Sequence, residues 1–314
     1  MKIVARIMGA LITGLAFFYL IRSCLKLDYH VLQLNDPARA CVALSLFIGA
    51  YVFFFILLAW VWIILLRVLS RQAATIPFRD VLGIYFRTNI LKYLPGNFME
   101  FVGRNYLVNR YRVSHGDIAL SSILETILLI IASLSVAAVC SFDMLKDASI
   151  RWHVGFGAGL LLIFSGFMLA VFVTGILVKR IFPEIWQRVY SLPFLKTCLV
   201  SLLLDSLVII WLGLLFAGII VFVLGVPVSF SHIFTILAAV ALSWTGGFVT
   251  PGAPGGLGVR EAMLYMLLST TFASGPLMVT LALHRLVSIL GDGAVFAVGC
   301  LFPLKAASGS TRQG

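Results

Sequence analysis

The fold follows from an interrupted apolar stretch, Pro251–Glu261, which reads PGAPGGLGVRE. A second Pro-Gly pair, at positions 95–96, precedes Arg104 by the same nine residues that separate Pro251 from Arg260. Because a bilayer offers no water to freed backbone groups, such breaks are tolerated only where protein or a polar cavity covers them. The two motifs lie 156 residues apart, close to half of the 314-residue chain. This spacing indicates an internal duplication, and paired breaks of this kind are typical of a transporter's binding site.

The composition is that of a membrane protein. Hydrophobic residues make up 61% of the chain, charged residues 11%, and the mean hydropathy is +1.10. The net charge of +11 falls in short connections between apolar runs, which indicates topology and lipid headgroup contact rather than nucleic acid. Five cysteines show no metal-ligand or redox spacing. We therefore expect neither a metal nor another cofactor.

Six apolar runs have about the 20 residues that a helix needs to cross a bilayer. The first is predicted to remain as a span, because Arg22 stands where a lipobox would need a small residue and no cleavage site follows. The predicted spans are Ile3–Ile21, Cys41–Leu66, Ile118–Cys140, Val154–Val178, Leu199–Gly225 and Leu277–Leu301.

Two further segments, Val81–Val108 and Ile233–Thr271, are each interrupted near the middle by Pro and Gly, and we interpret both as re-entrant hairpins. Each half then reads span, span, hairpin, span, and its odd number of crossings inserts the second half upside down. The sequence thus predicts an all-α integral membrane protein with six full transmembrane helices, two re-entrant hairpins and an inverted repeat. It forms a single membrane domain, 1–314, built from halves 1–153 and 154–314.

The distribution of Lys and Arg supports this topology. With the N-terminus inside, the basic excess falls in cytoplasmic segments, whereas the outer connections are neutral or balanced. The chain is therefore expected to be a multi-pass protein of the cell inner membrane with both termini cytoplasmic. Local signals agree: Asp36-Pro37 suits an N-cap and N1 pair, Pro276 a helix start, and Ser114 to Asp117 a capping box.

Charges inside a membrane are costly and are functional candidates by default. Most of those in this chain lie near the two breaks. The candidates are Arg87, Lys92, Glu100, Arg104, Glu125, Asp205, Arg260, Glu261, Arg285 and Asp292.

The second break has the features of an anion site. Its glycines let the backbone approach a ligand, and the half-helix that starts near Leu257 aims its N–H groups into the break. Arg260 adds a guanidinium suited to phosphate, and Lys92, Tyr93 and Arg104 offer the mirrored set in the first hairpin. The predicted substrate-binding residues are Lys92, Tyr93, Pro95, Gly96, Glu100, Arg104, Glu125, Trp244, Pro254, Gly255, Gly256, Gly258, Arg260, Glu261 and Arg285.

Structural alternatives remain open for several of these residues. Arg260 and Glu261 can form an ion pair at a helix end. Glu125 and Arg285, both in the middle of a span, fit a salt bridge between the halves as well as a role in substrate or proton coupling. Asp205 can carry a proton for transport, or a hydrogen bond to Ser201 or to a neighbouring helix can satisfy it in its protonated form.

Two strings, Lys92–Gly96 followed by Arg104 and Pro254–Glu261, resemble the membrane domain of the lysylphosphatidylglycerol synthase/flippase family. The resemblance runs over nearly the whole chain. It implies an inner-membrane, flippase-like protein that moves a lipid or lipid-linked headgroup between leaflets. Only a short polar tail follows Leu301, so we expect no counterpart of the aminoacyltransferase domain of two-part members, and no synthase activity.

Three hypotheses of function follow. The first is a translocator of an anionic phospholipid or polyprenyl-phosphate-type lipid, in which Arg104 and Arg260 hold the phosphate and Glu100 or Glu261 meets an amine or a proton. The second is a non-catalytic membrane partner of an enzyme of lipid or surface-glycan synthesis. A membrane-embedded transferase is disfavoured, because the longest loop, Lys179–Cys198, has no paired carboxylates or nucleophile-base set. The sequence leaves the oligomeric state open.

Overall fold

The computed structural model describes residues 37–93, 98–141, 191–250 and 254–302. Within these ranges every regular element is helical. Short 3₁₀ turns occupy Arg71–Thr75, Ile90–Tyr93 and Pro254–Gly256, and a π turn at Ile219–Val223 extends α5. The α-helices are α1 Pro37–Leu69, α2 Phe78–Asn89, α3 Met99–Asn109, α4 His115–Cys140, α5 Leu192–Gly218, α6 Phe230–Val249, α7 Val259–Leu268 and α8 Ser274–Cys300.

Five helices among the described residues are long and apolar enough to cross a membrane. Four of them, α1, α4, α5 and α8, lie over predicted spans, which confirms an all-helical membrane protein. The predicted spans 3–21 and 154–178, and both termini, lie outside the described residues. The five candidate spans are Ala38–Leu69, His115–Cys140, Leu192–Val223, Phe230–Val249 and Ser274–Cys300.

The fifth candidate, α6, forms the first arm of the segment Ile233–Thr271, which the sequence predicts to be a re-entrant hairpin. It has 20 residues, and at 1.5 Å per residue it is about 30 Å long, enough to cross the apolar core of a bilayer. Its counterpart α2 has only 12 residues. The reason is local: Ser229 caps the start of α6, accepting the His232 N–H, and the helix continues through the apolar residues up to the Pro-Gly break.

Helix ends follow the local sequence signals. The Ser114 Oγ accepts the N–H of Asp117 at 3.0 Å, so the predicted cap at the start of α4 is confirmed. Pro276 lies in the first turn of α8, where a missing N–H leaves no helical hydrogen bond unmade. The described helices also have the same order on either side of residues 142–190: a long helix, an interrupted pair and a long helix.

The core lies where α1, α4, α5 and α6 pack against one another, and α8 packs against α1 and α2. Large side chains such as Trp62, Phe86 and Phe216 are buried there. The interrupted pairs fold back on themselves, α2 against α3 and α6 against α7. This arrangement brings both interruptions into the interior.

The end of α8 is joined to α2 by one arginine. Arg87 donates its Nε–H to the carbonyl of Gly299 at 2.9 Å and an Nη2–H to that of Phe302 at 2.5 Å. The Gly299 carbonyl also accepts the Phe302 N–H at 3.3 Å. Because the last carbonyls of a helix lack the usual helical partner four residues on, the guanidinium adds donors at this helix end. Arg87 therefore has a structural role, although its position in an apolar sequence made it a functional candidate.

Gly299 permits this close approach of α8 to α2. A methyl group at Gly299 would lie 2.7 Å from Cβ of Phe86 and 3.0 Å from the backbone nitrogen of Arg87. Both atoms are close to the backbone and cannot move aside without shifting α2. The same helix offers a control in Gly293, where a methyl group would meet no atom within 4 Å.

We predict that Gly299→Ala lowers the stability of the protein by about 1–3 kcal/mol, the usual cost of overpacking a tight helix contact. Gly293→Ala should leave stability unchanged or raise it slightly, because alanine is the better helix former. Thermal unfolding of the two variants in detergent micelles measures the difference. Equal midpoints would show that the contact between α8 and α2 is not tight.

Candidate functional site

The described residues that flank the two interruptions contact each other beside a cavity. The turn Ile90–Tyr93, which ends the first arm of one pair, packs against Pro254–Gly256 in the other. The ring of Tyr93 lies so near Gly255 that a methyl group there would be 3.1 Å from its Cε1. Between them lies a cavity of about 150 Å³, lined by residues of both interruptions and of the long helices around them.

The backbone of the second break requires its glycines. Gly255, Gly256 and Gly258 have φ values of 60°, 71° and 80°, a left-handed conformation that side chains with a Cβ rarely adopt. The chain thereby turns into α7, whose first turn is capped by its own acid: Oε2 of Glu261 accepts the N–H of Gly258 at 2.7 Å. One of the N–H groups expected to face an anion is thus already satisfied.

Arg104 has a different environment from the one predicted. Its Nη1 lies 2.6 Å from Oε2 of Glu125, and its Nη2 3.8 Å from Oε2 of Glu100. Its guanidinium lies 3.8 Å above the ring centre of Tyr85, whose hydroxyl donates to Oε1 of Glu125 at 2.5 Å. With two carboxylates beside it, Arg104 belongs to an internal ion network and is not a free phosphate contact as expected.

Lys92 and Tyr93 are also engaged, and their partner is Asp292 on α8. Oδ1 of Asp292 accepts from Lys92 Nζ at 2.8 Å and from Asn89 Nδ2 at 2.9 Å, and Oδ2 accepts from Tyr93 Oη at 2.5 Å. Tyr51 of α1 adds a fourth donor at 3.2 Å. The carboxylate is 1% exposed, so these donors replace water.

Asp292 was a candidate from its charge alone, with no predicted role. Tyr51 and Asn89 carried no signal, because a single polar residue in an apolar run does not identify its partner on another helix. Sequence reasoning therefore missed the role of Asp292, which joins the first interruption to α8, and missed its donors Tyr51 and Asn89.

Of the four Lys and Arg residues that line the cavity, Arg260 is the one without a carboxylate within 4 Å among the described residues. Within the described part of the chain its guanidinium donates no hydrogen bond and has no carboxylate within 4 Å, and its Nε is buried without a partner. Two glycines make room for it: a methyl group at Gly256 would lie 2.6 Å from Nε, and one at Gly247 2.8 Å. On another side the indole of Trp244 lies 5.5 Å from Cζ. The expected ion pair between Arg260 and Glu261 is absent.

Arg285 lies on α8 beside the same break. Its Nη1 is 3.5 Å from Oε1 of Glu261, whereas Nε and Nη2 are buried and have no hydrogen-bond partner among the described residues. Glu125 pairs with Arg104 instead, so the salt bridge between Glu125 and Arg285 that the sequence left open does not form. Glu125 and Glu261 each contact a base of their own predicted half, whereas Asp292 contacts Lys92 of the other predicted half.

Asp205 does not form its expected hydrogen bond either. Both of its carboxylate oxygens and the hydroxyl of Ser201 are buried, and none of the three has a partner among the described residues. Of the other predicted residues, Trp244 lines the cavity, as do Gly255 and Gly256. Pro95 and Gly96 lie outside the described residues, and for Pro254 only the backbone is described.

Opposite charges balance around the cavity but are unevenly placed. Four basic and four acidic side chains line it. Around the first interruption, Arg104 faces two carboxylates. Around the second, Arg260 and Arg285 share one, that of Glu261. The side of the second break thus carries the excess positive charge. An isolated cation away from water costs several kcal/mol, so this side is suited to an anion.

The unpartnered donors of this side match the chemistry of phosphate. Guanidinium groups donate two parallel hydrogen bonds to phosphate oxygens, and such charge-assisted bonds are the stronger ones. Among the described residues, no three His, Cys, Asp or Glu side chains are grouped so as to hold a metal ion. Anion binding is therefore the chemistry that the arrangement supports best.

We predict that the two arginines at matching positions respond differently to replacement. Arg104→Met should destabilise the protein by about 3–5 kcal/mol, because it leaves Glu125 and Glu100 buried without a counterion. Arg260→Met should leave stability unchanged or raise it, because it removes a cation that has no partner. Thermal unfolding in the same detergent tests both, and equal losses would contradict the assignment.

The family model described as "Lysylphosphatidylglycerol synthase TM region" matches residues 4–295. The match includes both interruptions and every residue that lines the cavity, and it ends at residue 295 within α8. No curated protein matches the chain.

Proposed function

Because the chain belongs to the lysylphosphatidylglycerol synthase transmembrane-region family, we propose that it translocates a phosphate-bearing lipid between the leaflets of the cell inner membrane. The observation that carries this proposal is Arg260, a basic side chain in the cavity without an internal counterion. The lipid phosphate supplies that counterion. Anionic phospholipids and polyprenyl-phosphate-type lipids both have the required group.

In this proposal the phosphate lies between Arg260 and Arg285. Their unpartnered nitrogens face the same break, and Nη2 of Arg285 is 3.7 Å from the point where a methyl group on Gly255 would lie. Glu261 keeps Arg285 in place through its contact at 3.5 Å. Trp244 forms a flat wall, stacked on Phe248 at 5.4 Å.

The cavity size favours a headgroup rather than a whole lipid. Its volume is about 150 Å³. Pockets that enclose drug-sized molecules are larger, with volumes of about 300–1,000 Å³. The acyl or prenyl chains therefore remain in the bilayer while the headgroup passes through the protein. The described helices expose many large apolar side chains, such as Leu203 and Phe230, which suits contact with lipid chains that stay in the bilayer.

The proposed transport path runs between the two interruptions. If both pairs are re-entrant and the halves are inverted, α2–α3 and α6–α7 enter from opposite sides and their tips meet at the cavity. The contact between Lys92 and Asp292 then fixes one tip to α8 while the headgroup lies at the other. No transferase chemistry enters this proposal, since it needs only binding and release.

We expect Arg260→Gln to lower the affinity for a phosphate-bearing lipid about ten- to a hundredfold, the loss that follows from one charge-assisted contact of about 1.5–3 kcal/mol. The matched control is Arg71→Gln, which removes an exposed charge remote from the cavity. Native mass spectrometry of the protein in nanodiscs of phosphatidylcholine with phosphatidylglycerol or polyprenyl phosphate measures the retained lipid.

Translocation is measured on the same variants in vesicles with a headgroup-accessible fluorescent phosphatidylglycerol and a membrane-impermeant quencher. Wild type and Arg71→Gln should move the lipid, and Arg260→Gln should not. Normal movement by Arg260→Gln would rule out this site. Selective retention without movement by the wild type would favour the alternative of a lipid-binding partner of a membrane enzyme.

A further inference from the structure

A second group of buried polar atoms lies outside the cavity, around Asp205 on α5. Asp205 and Ser201 are each 0% exposed and stand one turn apart on the same face of the helix. The two carboxylate oxygens of Asp205 and the hydroxyl of Ser201 all lack a hydrogen-bond partner among the described residues. On α4, which packs against α5, the hydroxyl of Ser122 is likewise buried and unpartnered.

Among the described residues, no basic group neutralises Asp205. Of the charged groups on the helices packed against α5, Glu125 on α4 is the one that acts on it electrostatically, and it has the same sign. The other titratable groups of those helices form no ion pair or hydrogen bond with Asp205 within the described residues. They are Arg39, Cys41, Tyr51 and Arg67 on α1, His115, Asp117 and Cys140 on α4, His232 on α6, and His284, Arg285, Asp292 and Cys300 on α8.

An ionised carboxylate in this place has nothing to replace its water. The cost of moving it out of water is several kcal/mol even after the protein relaxes, and Glu125 adds repulsion. A protonated carboxylic acid avoids both costs. The neutral acid also carries an O–H group that can donate a hydrogen bond.

We propose that Asp205 is a proton-binding site and that Glu125 links it to the cavity. Glu125 lines the cavity, as do Val208 and Ile209, which lie about one turn beyond Asp205 on α5. Asp205 itself lies behind this wall. A proton from cavity water binds the carboxylate of Asp205 to give the neutral acid, and the reverse step returns it to the same water.

The state of this proton affects the ion network next to it. When Asp205 loses its proton, its negative charge adds to those of Glu125 and Glu100, and the attraction on Arg104 increases. When the proton returns, the attraction falls. Arg104 lies on α3, which follows the first interruption in the chain. Protonation of Asp205 therefore changes how strongly the carboxylates attract α3. This coupling rests on the function proposed above, whereas the proton site itself does not.

Infrared spectroscopy of the protein in nanodiscs tests the proton site directly. A protonated carboxylic acid gives a carbonyl stretching band that shifts in D₂O, and we expect such a band near neutral pH for the wild type. It should be lost in Asp205→Asn, whose amide has the same shape and is always neutral. The control Asp80→Asn removes the acid that accepts from Tyr111 at the start of α2, and should leave the band in place.

Labelling the aspartates with ¹³C gives a second readout that needs no variant: the band must shift if an aspartate carries it. A band that is absent in the wild type, insensitive to the label or retained in Asp205→Asn would overturn the proposal. Absence of the band together with stabilisation by Na⁺ over choline would also overturn it, in favour of a metal cation as the group that neutralises Asp205.

Lipid movement distinguishes the two proposals. With the band present, movement that depends on a proton gradient in the wild type but not in Asp205→Asn supports the coupling. Movement that is independent of the gradient in both overturns the coupling and leaves translocation intact. Lipid retention by the wild type and Arg260→Gln is measured separately. If the wild type retains no lipid selectively, the proposed function fails, whereas the infrared result on Asp205 is unaffected.

Discussion

The cost of a charge away from water governs the interior of this protein. Lys92 lies 2.8 Å from Asp292, and Arg104 lies 2.6 Å from Glu125. Both pairs join the first interrupted segment to a long helix. This segment therefore cannot move away without leaving unpaired charges in an apolar environment. The ion pairs thus help to fix the position of the first interruption, together with the apolar side chains of α2, such as Ile84 and Phe86, that are buried in the core.

Against this background, the second interruption is unusual because its cation is not paired internally. Arg260 is enclosed by glycines and by Trp244. Arg104, which follows the other Pro-Gly pair at the same spacing, is enclosed by acids and aromatic rings. Two positions that match in spacing have therefore taken different roles. One arginine stabilises the architecture, and the other is left with a positive charge that an external anion can neutralise.

The glycines of the second break serve both the backbone and the ligand site. Left-handed conformations at Gly255 and Gly256 turn the chain toward α7, and the missing side chain at Gly256 leaves the volume that Arg260 fills. Any larger residue there would strain the turn and displace the guanidinium together. The break is thus a means of placing one charge in the middle of an apolar structure.

Much of this could be predicted from the sequence, because length and hydropathy decide which segments can cross a bilayer and Pro-Gly pairs decide where helices stop. The membrane class, four of the described spans, the cap at Ser114 and the family resemblance all rest on such local properties.

The assignment of charges to partners was beyond the sequence. From the sequence we expected Arg104 to contact a phosphate, and we left open a salt bridge between Glu125 and Arg285. Asp292 had no predicted role. Pairing depends on which helices pack together, over separations of up to 200 residues between Lys92 and Asp292. The sequence by itself determined that a charged site lies at two breaks inside a membrane protein. Only the tertiary structure decided which charge is left free, because an ion pair depends on a distance of a few ångströms between helices remote in the chain.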